Sequence, residues 1–201
     1  AGYMIPYCLG GDVTVGARII DYTVFMAFGE VTCMIFGGLS PAFTRWAGSK
    51  RKAFVYSSAI CAFSSIAYFF IPMNPAYIWV MVVISIITSI GAGLYSPLIW
   101  SMYADVSDYA TEKYGTSSTG LIFSSGTMAQ KFGGAISGSL IALLLGMAGL
   151  ISSTDPVTGE TIVTITDAES VKTMVWSLFS LFPAIVAVIM GLLAYMFPLK
   201  K

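Results

Sequence analysis

Residues 77–104, YIWVMVVISIITSIGAGLYSPLIWSMYA, decide the fold because they form one long apolar stretch that contains no charged side chain. A helix needs roughly 20 consecutive apolar residues to cross the ~30 Å hydrocarbon core of a bilayer. The stretch exceeds that length, so the helix must tilt, kink or project beyond the bilayer. Residues 77–104 therefore predict a transmembrane helix.

Four further apolar stretches flank it, and together the five predict an all-α, polytopic bundle of transmembrane helices. The predicted spans are residues 22–43, 54–71, 77–104, 120–150 and 171–197. Residues 1–9 resemble the end of an earlier apolar helix, so we expect six crossings, the first of them incomplete. The chain starts at Ala1 without an initiator Met, a charged segment or a cleavage site, so we expect a fragment and not a signal peptide.

The composition indicates a membrane environment and argues against several other classes of protein. Hydrophobic residues make up 57% of the chain and charged residues only 10%, whereas a soluble domain carries roughly 25% charged residues. The net charge is zero, which gives no support to nucleic-acid binding. Histidine is absent, and the three cysteines lack C-x-x-C spacing. We therefore expect no enzyme, no catalytic residue, no metal site and no cofactor.

Basic residues set the expected orientation in the membrane. The densest basic cluster, RWAGSKRK at residues 45–52, lies between the first two full spans. Lys and Arg accumulate on the cytoplasmic side, so we place this connection inside. The other connections then alternate: residues 72–75 outside, 104–119 inside, 151–170 outside, and Lys200 and Lys201 inside. We expect a multi-pass protein of the inner (plasma) membrane with a cytoplasmic C-terminus.

Small residues recur inside the predicted spans. Gly91 and Gly93 flank an alanine in one span, and Gly134 and Gly138 form a G-x-x-x-G pair in the next. Such pairs let a neighbouring backbone approach closely. Tight packing and sliding of helices are both compatible with this pattern.

Lys131 is the strongest candidate for a functional residue, because a charge within a bilayer is costly and usually faces water or the bundle interior. It lies about three turns into its span, too deep to reach the interface easily. Thr127 is four residues earlier and shares its helical face, with Gln130 beside it. Ammonium, hydroxyl and amide groups in this arrangement suit a polyhydroxylated ligand such as a sugar. The alternative is that Lys131 pairs with an acidic residue and holds helices together.

Other polar and aromatic residues in the spans allow two interpretations. Glu30, about two turns into the first span, lies either in an aqueous cavity or near the outer headgroups. Trp100 and Tyr103, and also Tyr3 and Tyr7 in the stub, could stack on a sugar ring. An interfacial belt or lipid contact would explain the same aromatic residues.

The segment YADVSDYATEK, residues 103–113, places several polar residues in the predicted inner loop. Asp105 and Asp108 share a face if the helix continues. No catalytic group accompanies them. These carboxylates, with Tyr109 beside them, could meet basic residues such as Arg45 and act as an inner gate; a plain solvated loop is the alternative.

Three motifs together resemble the glycoside–pentoside–hexuronide:cation symporter family of the major facilitator superfamily. They are YADVSDY at 103–109, TGLIFSS at 119–125 and AQKFG at 129–133. The basic connection, from GLSP at 38–41 to GSKR at 48–51, resembles an inner loop of such transporters. The resemblance implies twelve helices in two six-helix halves, of which this chain would be the C-terminal half.

The same resemblance implies a function and assigns residues to it. Lys131 and Thr127 match a family lysine and threonine near the sugar and cation sites, while Gly126 and Ser96 stand where a family member has a glutamine and a cavity-lining tryptophan. The implied activity is symport of a glycoside, pentoside or hexuronide with Na⁺, H⁺ or Li⁺ by alternating access. The cation would be bound mainly by the missing N-terminal half. The alternatives are a non-transporting membrane scaffold and a major facilitator carrier for a non-sugar solute.

Overall fold

The computed structural model describes residues 13–15, 18–20, 22–72, 74–115, 118–154 and 161–196. Its helices are α1 Tyr22–Ala47, α2 Lys50–Phe69, α3 Ile78–Tyr114, α4 Thr119–Met147 and α5 Ala168–Met196. All five are long and apolar enough to cross a membrane, which confirms the predicted transmembrane helix bundle. The predicted stub at residues 1–9, which holds Tyr3 and Tyr7, lies outside the described residues, as do Lys200 and Lys201.

Two short antiparallel hairpins and one 3₁₀ turn, Pro75–Tyr77, accompany the helices. Strand β1, Val13–Val15, pairs with β2, Arg18–Ile20, and β3, Leu150–Thr154, pairs with β4, Thr161–Ile165. The strands of the second hairpin lie in the predicted outer connection apart from Leu150, which precedes it, and the sequence TIVTI of β4 is rich in β-branched residues that favour strands.

The two connections at the basic end are shorter than predicted. Helices α1 and α2 extend into the basic cluster until only Gly48 and Ser49 separate them. Helix α3 continues ten residues past its predicted end at 104, so most of the predicted inner loop is helical. The helix stops at Gly115. Gly48 and Gly115 have φ values of 74° and 70°, the left-handed conformation that ends a helix and favours glycine. Beyond its apolar span, α3 continues through polar residues that are compatible with a helix. A hydropathy pattern does not detect such an extension.

Helix α2 lies at the centre of the bundle, packed along α3 and α5, while α1 packs along α3. Small residues permit these close contacts. A Cβ atom on Gly91 would lie 2.5 Å from Sγ of Cys61 and 2.8 Å from the carbonyl oxygen of Ser57. A Cβ atom on Gly93 would lie 2.5 Å from the carbonyl oxygen of Cys33. Tight packing therefore accounts for the glycines of α3.

The two largest apolar clusters of the described residues hold the ends of the bundle together. The larger cluster joins all five helices at the end opposite the basic connection, through Phe25, Tyr68, Met81, Leu145, Val171 and Trp176. The smaller cluster, at the basic end, joins α2, α3 and α5 through Ala53, Phe54, Leu98 and Ala194. Packing of complementary side chains is the main source of helix association in lipid, so these clusters fix the arrangement of the helices.

Helix α4 is attached mainly at its two ends. Near its start, the hydroxyl groups of Thr119 and Ser107 lie 2.6 Å apart, and near its end Leu145 belongs to the larger apolar cluster. Every residue from 127 to 143 is exposed. The middle of α4, which holds Lys131, is thus the least covered part of the described bundle.

Candidate functional site

Lys131 lies in the exposed middle of α4 and shares one helical face with Thr127, Gly134 and Gly138. The spacing of four, three and four residues places these side chains in one row, which we call the Lys131 face. A Cβ atom on Gly134 or Gly138 would meet nothing within 4 Å, so the tight packing predicted at this pair is not found within the described chain. Because a lysine exposed to hydrocarbon is costly, this face requires water or further protein opposite it.

The polar groups near Lys131 keep capacity for hydrogen bonding. The Thr127 hydroxyl donates to the carbonyl oxygen of Phe123 in its own helix, at 2.9 Å. Its oxygen atom can still accept from a ligand. Gln130 is exposed and carries both a donor and an acceptor. The surface of α4 therefore carries donors and acceptors at neighbouring positions, and a polyhydroxylated ligand stays a prediction.

An aromatic cluster lies at the start of the Lys131 face. The rings of Trp100 and Phe123 are nearly parallel, at an angle of 10° with centroids 6.1 Å apart. Tyr103 meets both rings edge to face, with centroids 5.8 and 6.2 Å away. Phe123 lies one turn before Thr127, so it joins the two predicted aromatic residues to the polar row. Phe123 belongs to the TGLIFSS motif and was not predicted as a candidate site residue, although its spacing of four residues from Thr127 indicates the shared face.

Gly126 gives α4 its close contact with this aromatic cluster. A Cβ atom at this position would lie 2.5 Å from Cε2 and 2.9 Å from Cζ of Tyr103. Any larger side chain would have to displace the Tyr103 ring, since packed interiors leave no spare volume for it. The glutamine that a family member has at this position is therefore incompatible with the observed position of Tyr103.

At the basic end, Asp105 is paired with Lys50. The Lys50 ammonium donates to both carboxylate oxygens of Asp105, at 2.7 and 2.8 Å. The pair joins the start of α2 to α3, and its side chains are 33% and 24% exposed. Arg45, which was predicted as a gate residue, lines a cavity of about 290 Å³ beside Lys50, and its role at a gate stays a prediction. With several basic residues so close in sequence, the helical phase needed to choose the partner was not known.

The other two candidate gate residues, Asp108 and Tyr109, are exposed on the same end of α3. Asp108 is three residues after Asp105 in continuous helix, so the two carboxylates share a face. The Tyr109 hydroxyl oxygen accepts a hydrogen bond from the Lys113 ammonium at 3.2 Å. Asp108 thus presents a carboxylate to the surroundings of this end of the bundle.

Glu30 is exposed, eight residues into α1, which corresponds to roughly 12 Å along the helix axis. This position agrees with an aqueous cavity and with the outer headgroup region, so both interpretations of Glu30 stay predictions. Among the residues whose positions are described, no three Asp, Glu, Cys or His side chains come together as ligands of a metal ion would.

Comparison with known proteins extends these observations. A family model described as MFS/sugar transport protein matches residues 12–201. The chain is 28% identical to the inner membrane symporter YicJ of Escherichia coli (strain K12) over 174 residues, which are 85% of this chain and 35% of that protein. It is 32% identical to an uncharacterized 29.9 kDa protein in the crtE 3' region of Pseudescherichia vulneris over 105 residues, 52% of this chain and 38% of that protein. The matched regions thus span just over a third of these curated relatives, and no solved structure matches.

Proposed function

We propose that this chain, which belongs to the MFS/sugar transport protein family by a match over residues 12–201, is part of a secondary active transporter. The proposed substrate is a sugar, namely a glycoside, pentoside or hexuronide, and it is transported together with Na⁺, H⁺ or Li⁺. The chain forms one wall of the transport path, which opens alternately to the two sides of the membrane.

The Lys131 face is the observation that carries this proposal. It places an ammonium group at mid-helix on a segment where every residue from 127 to 143 is exposed. A lysine at this depth is tolerated where it contacts a water-filled path or a binding site, and such residues commonly mark substrate pathways. A lipid-facing helix with no other role would have no reason to carry it.

The chemistry around Lys131 suits a sugar. Sugar hydroxyl groups both donate and accept hydrogen bonds, and Lys131, Thr127 and Gln130 supply an ammonium, a hydroxyl and an amide group. The flat rings of Trp100 and Tyr103 offer an apolar surface next to this row. Ligand sites typically combine such an apolar wall with a few polar groups that set orientation.

A second six-helix half is the proposed partner opposite the Lys131 face. The small residues Gly134 and Gly138 would let its helices approach α4 closely. The match of 85% of this chain to only 35% of the symporter YicJ supports a larger complete transporter. In this proposal the coupling cation is held mainly by the second half, and the printed name of one relative, a symporter, supports ion coupling.

The proposed inner gate lies at the basic end of the bundle. Asp108 and Tyr109 are exposed there, and Arg45 is exposed on the adjacent end of α1. Asp105 is already paired with Lys50 inside the bundle. The exposed groups are therefore the ones available to form and break contacts with the second half, while the Lys50–Asp105 pair keeps α2 and α3 together.

The test is uptake of labelled glycosides, pentoses and hexuronides into vesicles that contain the full-length protein, with imposed Na⁺, Li⁺ or H⁺ gradients. We expect gradient-driven accumulation, lowered by about tenfold or more in Lys131→Ala, since a hydrogen bond to a charged group contributes roughly 1.5–3 kcal/mol. Lys172→Ala, on α5 and away from the Lys131 face, is the matched control and should retain accumulation.

Three outcomes would contradict the proposal at different levels. Unchanged accumulation in Lys131→Ala, with normal membrane insertion, would remove the role of Lys131. Accumulation of a non-sugar solute alone would indicate another type of carrier. Failure to move any solute under any gradient would favour a membrane scaffold.

A further inference from the structure

An apolar groove runs along the surface of the described bundle between α1 and α2. These two helices join through Gly48 and Ser49, then contact each other little, while both pack against α3. The resulting cavity has a volume of about 660 Å³. Its lining comes from all three helices and is almost entirely apolar, with Phe43, Trp46, Tyr56, Ile60, Phe63 and Ile87 as its larger side chains. We call it the α1–α2 groove.

The length of the α1–α2 groove matches one leaflet of a bilayer. On α2, its lining extends from Tyr56 to Ala67, and these eleven residue steps correspond to about 16 Å of helix. Half of the ~30 Å hydrocarbon core is about 15 Å. The groove is therefore about as long as one acyl chain of a leaflet, which would enter at the basic end; its far end, at Ala67, lies next to Tyr68 of the larger apolar cluster.

Aromatic residues mark the interface at the basic end of this groove. Trp46 is 76% exposed, with its ring centroid 5.6 Å from that of Phe43 and 6.4 Å from that of Tyr56. Trp and Tyr favour the level of the lipid headgroups. Lys52 lies one turn before Tyr56 on the same face of α2, about 6 Å further toward the basic end. That is the level at which a lipid phosphate would lie.

Of the three basic residues at positions 50–52, Lys52 is the one for which no ion pair or aromatic contact is found within the described bundle. Lys50 binds Asp105, and the Arg51 guanidinium lies 5.0 Å from the centre of the Tyr195 ring. Lys52 is exposed, and no ion pair with a described residue engages it.

We propose that the α1–α2 groove binds an anionic diacyl phospholipid, with one acyl chain in the groove and its phosphate at Lys52. The apolar lining alone would accept any acyl chain or an apolar helix. The exposed ammonium group of Lys52 at the mouth favours a lipid of net negative charge, because basic residues at the ends of transmembrane helices attract anionic headgroups. This site is independent of the Lys131 face, which lies on α4.

The experiment measures lipid retained by the purified full-length protein in micelles, by native mass spectrometry, for phosphatidylglycerol and phosphatidylcholine with identical acyl chains. We expect preferential retention of one phosphatidylglycerol. Lys52→Gln should lower its affinity about fivefold, since one basic residue near the phosphate contributes roughly that factor. Lys52→Arg should retain the preference, and phosphatidylcholine should respond little to either change.

A second pair of variants tests the groove itself. Ile60→Trp fills the groove and should weaken binding of both lipids, whereas Ile136→Trp, on the exposed surface of α4, is the matched control and should leave binding unchanged. Equal retention of the two lipids by the wild-type protein, or an unchanged preference in Lys52→Gln, would overturn the proposal. A dimer that dissociates on Ile60→Trp would also overturn it, because a second copy would then occupy the groove.

Discussion

Helices α2 and α4 have nearly the same mean hydropathy, yet they occupy opposite environments. In the apolar 18-residue segment of each helix, 50% of the residues of α2 are buried, compared with 6% of the residues of α4. Their hydroxyl groups are satisfied in the same way: Ser57 of α2 and Thr127 of α4 each donate to a carbonyl oxygen of their own helix at 2.9 Å. Local bonding and composition therefore do not distinguish a central helix from a peripheral one. The two helices differ in how much of their surface is covered by the other described helices.

The charges of the two helices show which sequence signal does carry this information. Helix α2 holds its basic residues at its start, where the bilayer ends, whereas Lys131 lies in the middle of α4. Because a charge at that depth needs a polar surrounding, it indicates a surface that lipid alone does not cover. One charged residue is more informative here than the average over the helix.

The largest expected difference in stability is between two glycine-to-valine variants, one at the surface that packs on α2 and one on the exposed face of α4. Gly91→Val would push side-chain atoms into the backbone of α2, so we expect at least the 1–3 kcal/mol loss typical of overpacking, and little monodisperse protein. Gly134→Val meets no described atom within 4 Å and should leave the Tm of the chain unchanged. Yield and thermal unfolding in micelles measure both. An equal loss of stability in the two variants would show that α4 is packed like α2.

A smaller effect is expected for the ion pair that fixes the start of α2. A double-mutant cycle with Lys50→Gln and Asp105→Asn should give a coupling free energy of about 1 kcal/mol, the upper end for partly exposed pairs. The cycle is measured by denaturant unfolding in micelles. Additive effects of the two substitutions would mean that the pair does not hold α2 against α3.

A smaller effect again is expected from serines of the two helices. Thr88 of α3 donates to the Ser64 hydroxyl of α2 at 2.9 Å, and hydrogen bonds between membrane helices contribute on average roughly 0.6 kcal/mol. Ser64→Ala should lose about that amount. Ser137 of α4 bonds only to Gly134 of its own helix among the contacts described, so Ser137→Ala should be close to neutral. Equal unfolding free energies of the two variants would show that the Ser64 hydroxyl stabilises the bundle no more than the Ser137 hydroxyl does.

The smallest effect concerns Asp167, which caps the start of α5 in front of the larger apolar cluster. Its carboxylate accepts from the Ser170 hydroxyl at 2.6 Å and from the amides of Ser170 and Glu169. These hydrogen bonds hold the pKa of Asp167 below its usual range. The stabilisation is therefore present above the ordinary aspartate pKa of about 3.9 and is lost as the pH falls through the lowered value.

Thermal unfolding between pH 6 and pH 3 tests this cap. The wild-type Tm should fall slightly more than that of Asp167→Asn, because the amide keeps an acceptor but does not titrate. The difference between the two proteins is the readout, since other carboxylates titrate in both. Parallel curves would show that the cap adds no pH-dependent stability.

The sequence was sufficient to predict five transmembrane helices, because hydropathy over about 20 residues reports the one property that every span must have. It was not sufficient to predict where those helices end. Helix α3 continues to Tyr114 through residues that are polar but compatible with a helix. Hydropathy describes the solvent of a segment, whereas the end of a helix depends on local conformation, as at Gly115.

The sequence singled out candidate residues, whose role stays a prediction, but it did not predict the contacts that they make. The cost of burying a charge identified Lys131, and helical spacing added Thr127. The stack of Phe123 on Trp100 and the pairing of Lys50, rather than Arg45, with Asp105 depend on how α3 meets α4 and α2. Such contacts between helices are set by packing over the whole bundle, which no local pattern contains.

The extension of α3 past its apolar span has a mechanical consequence. Asp105 to Tyr114 form ten further helical residues, a rigid arm of roughly 15 Å. Pro97, the proline inside α3, lies within the apolar span, so a tilt of the helix that follows it moves the tip in the same direction. A spectroscopic label at Glu112 would therefore report the tilt of α3 from outside the membrane, at a position that leaves the bilayer-embedded residues untouched.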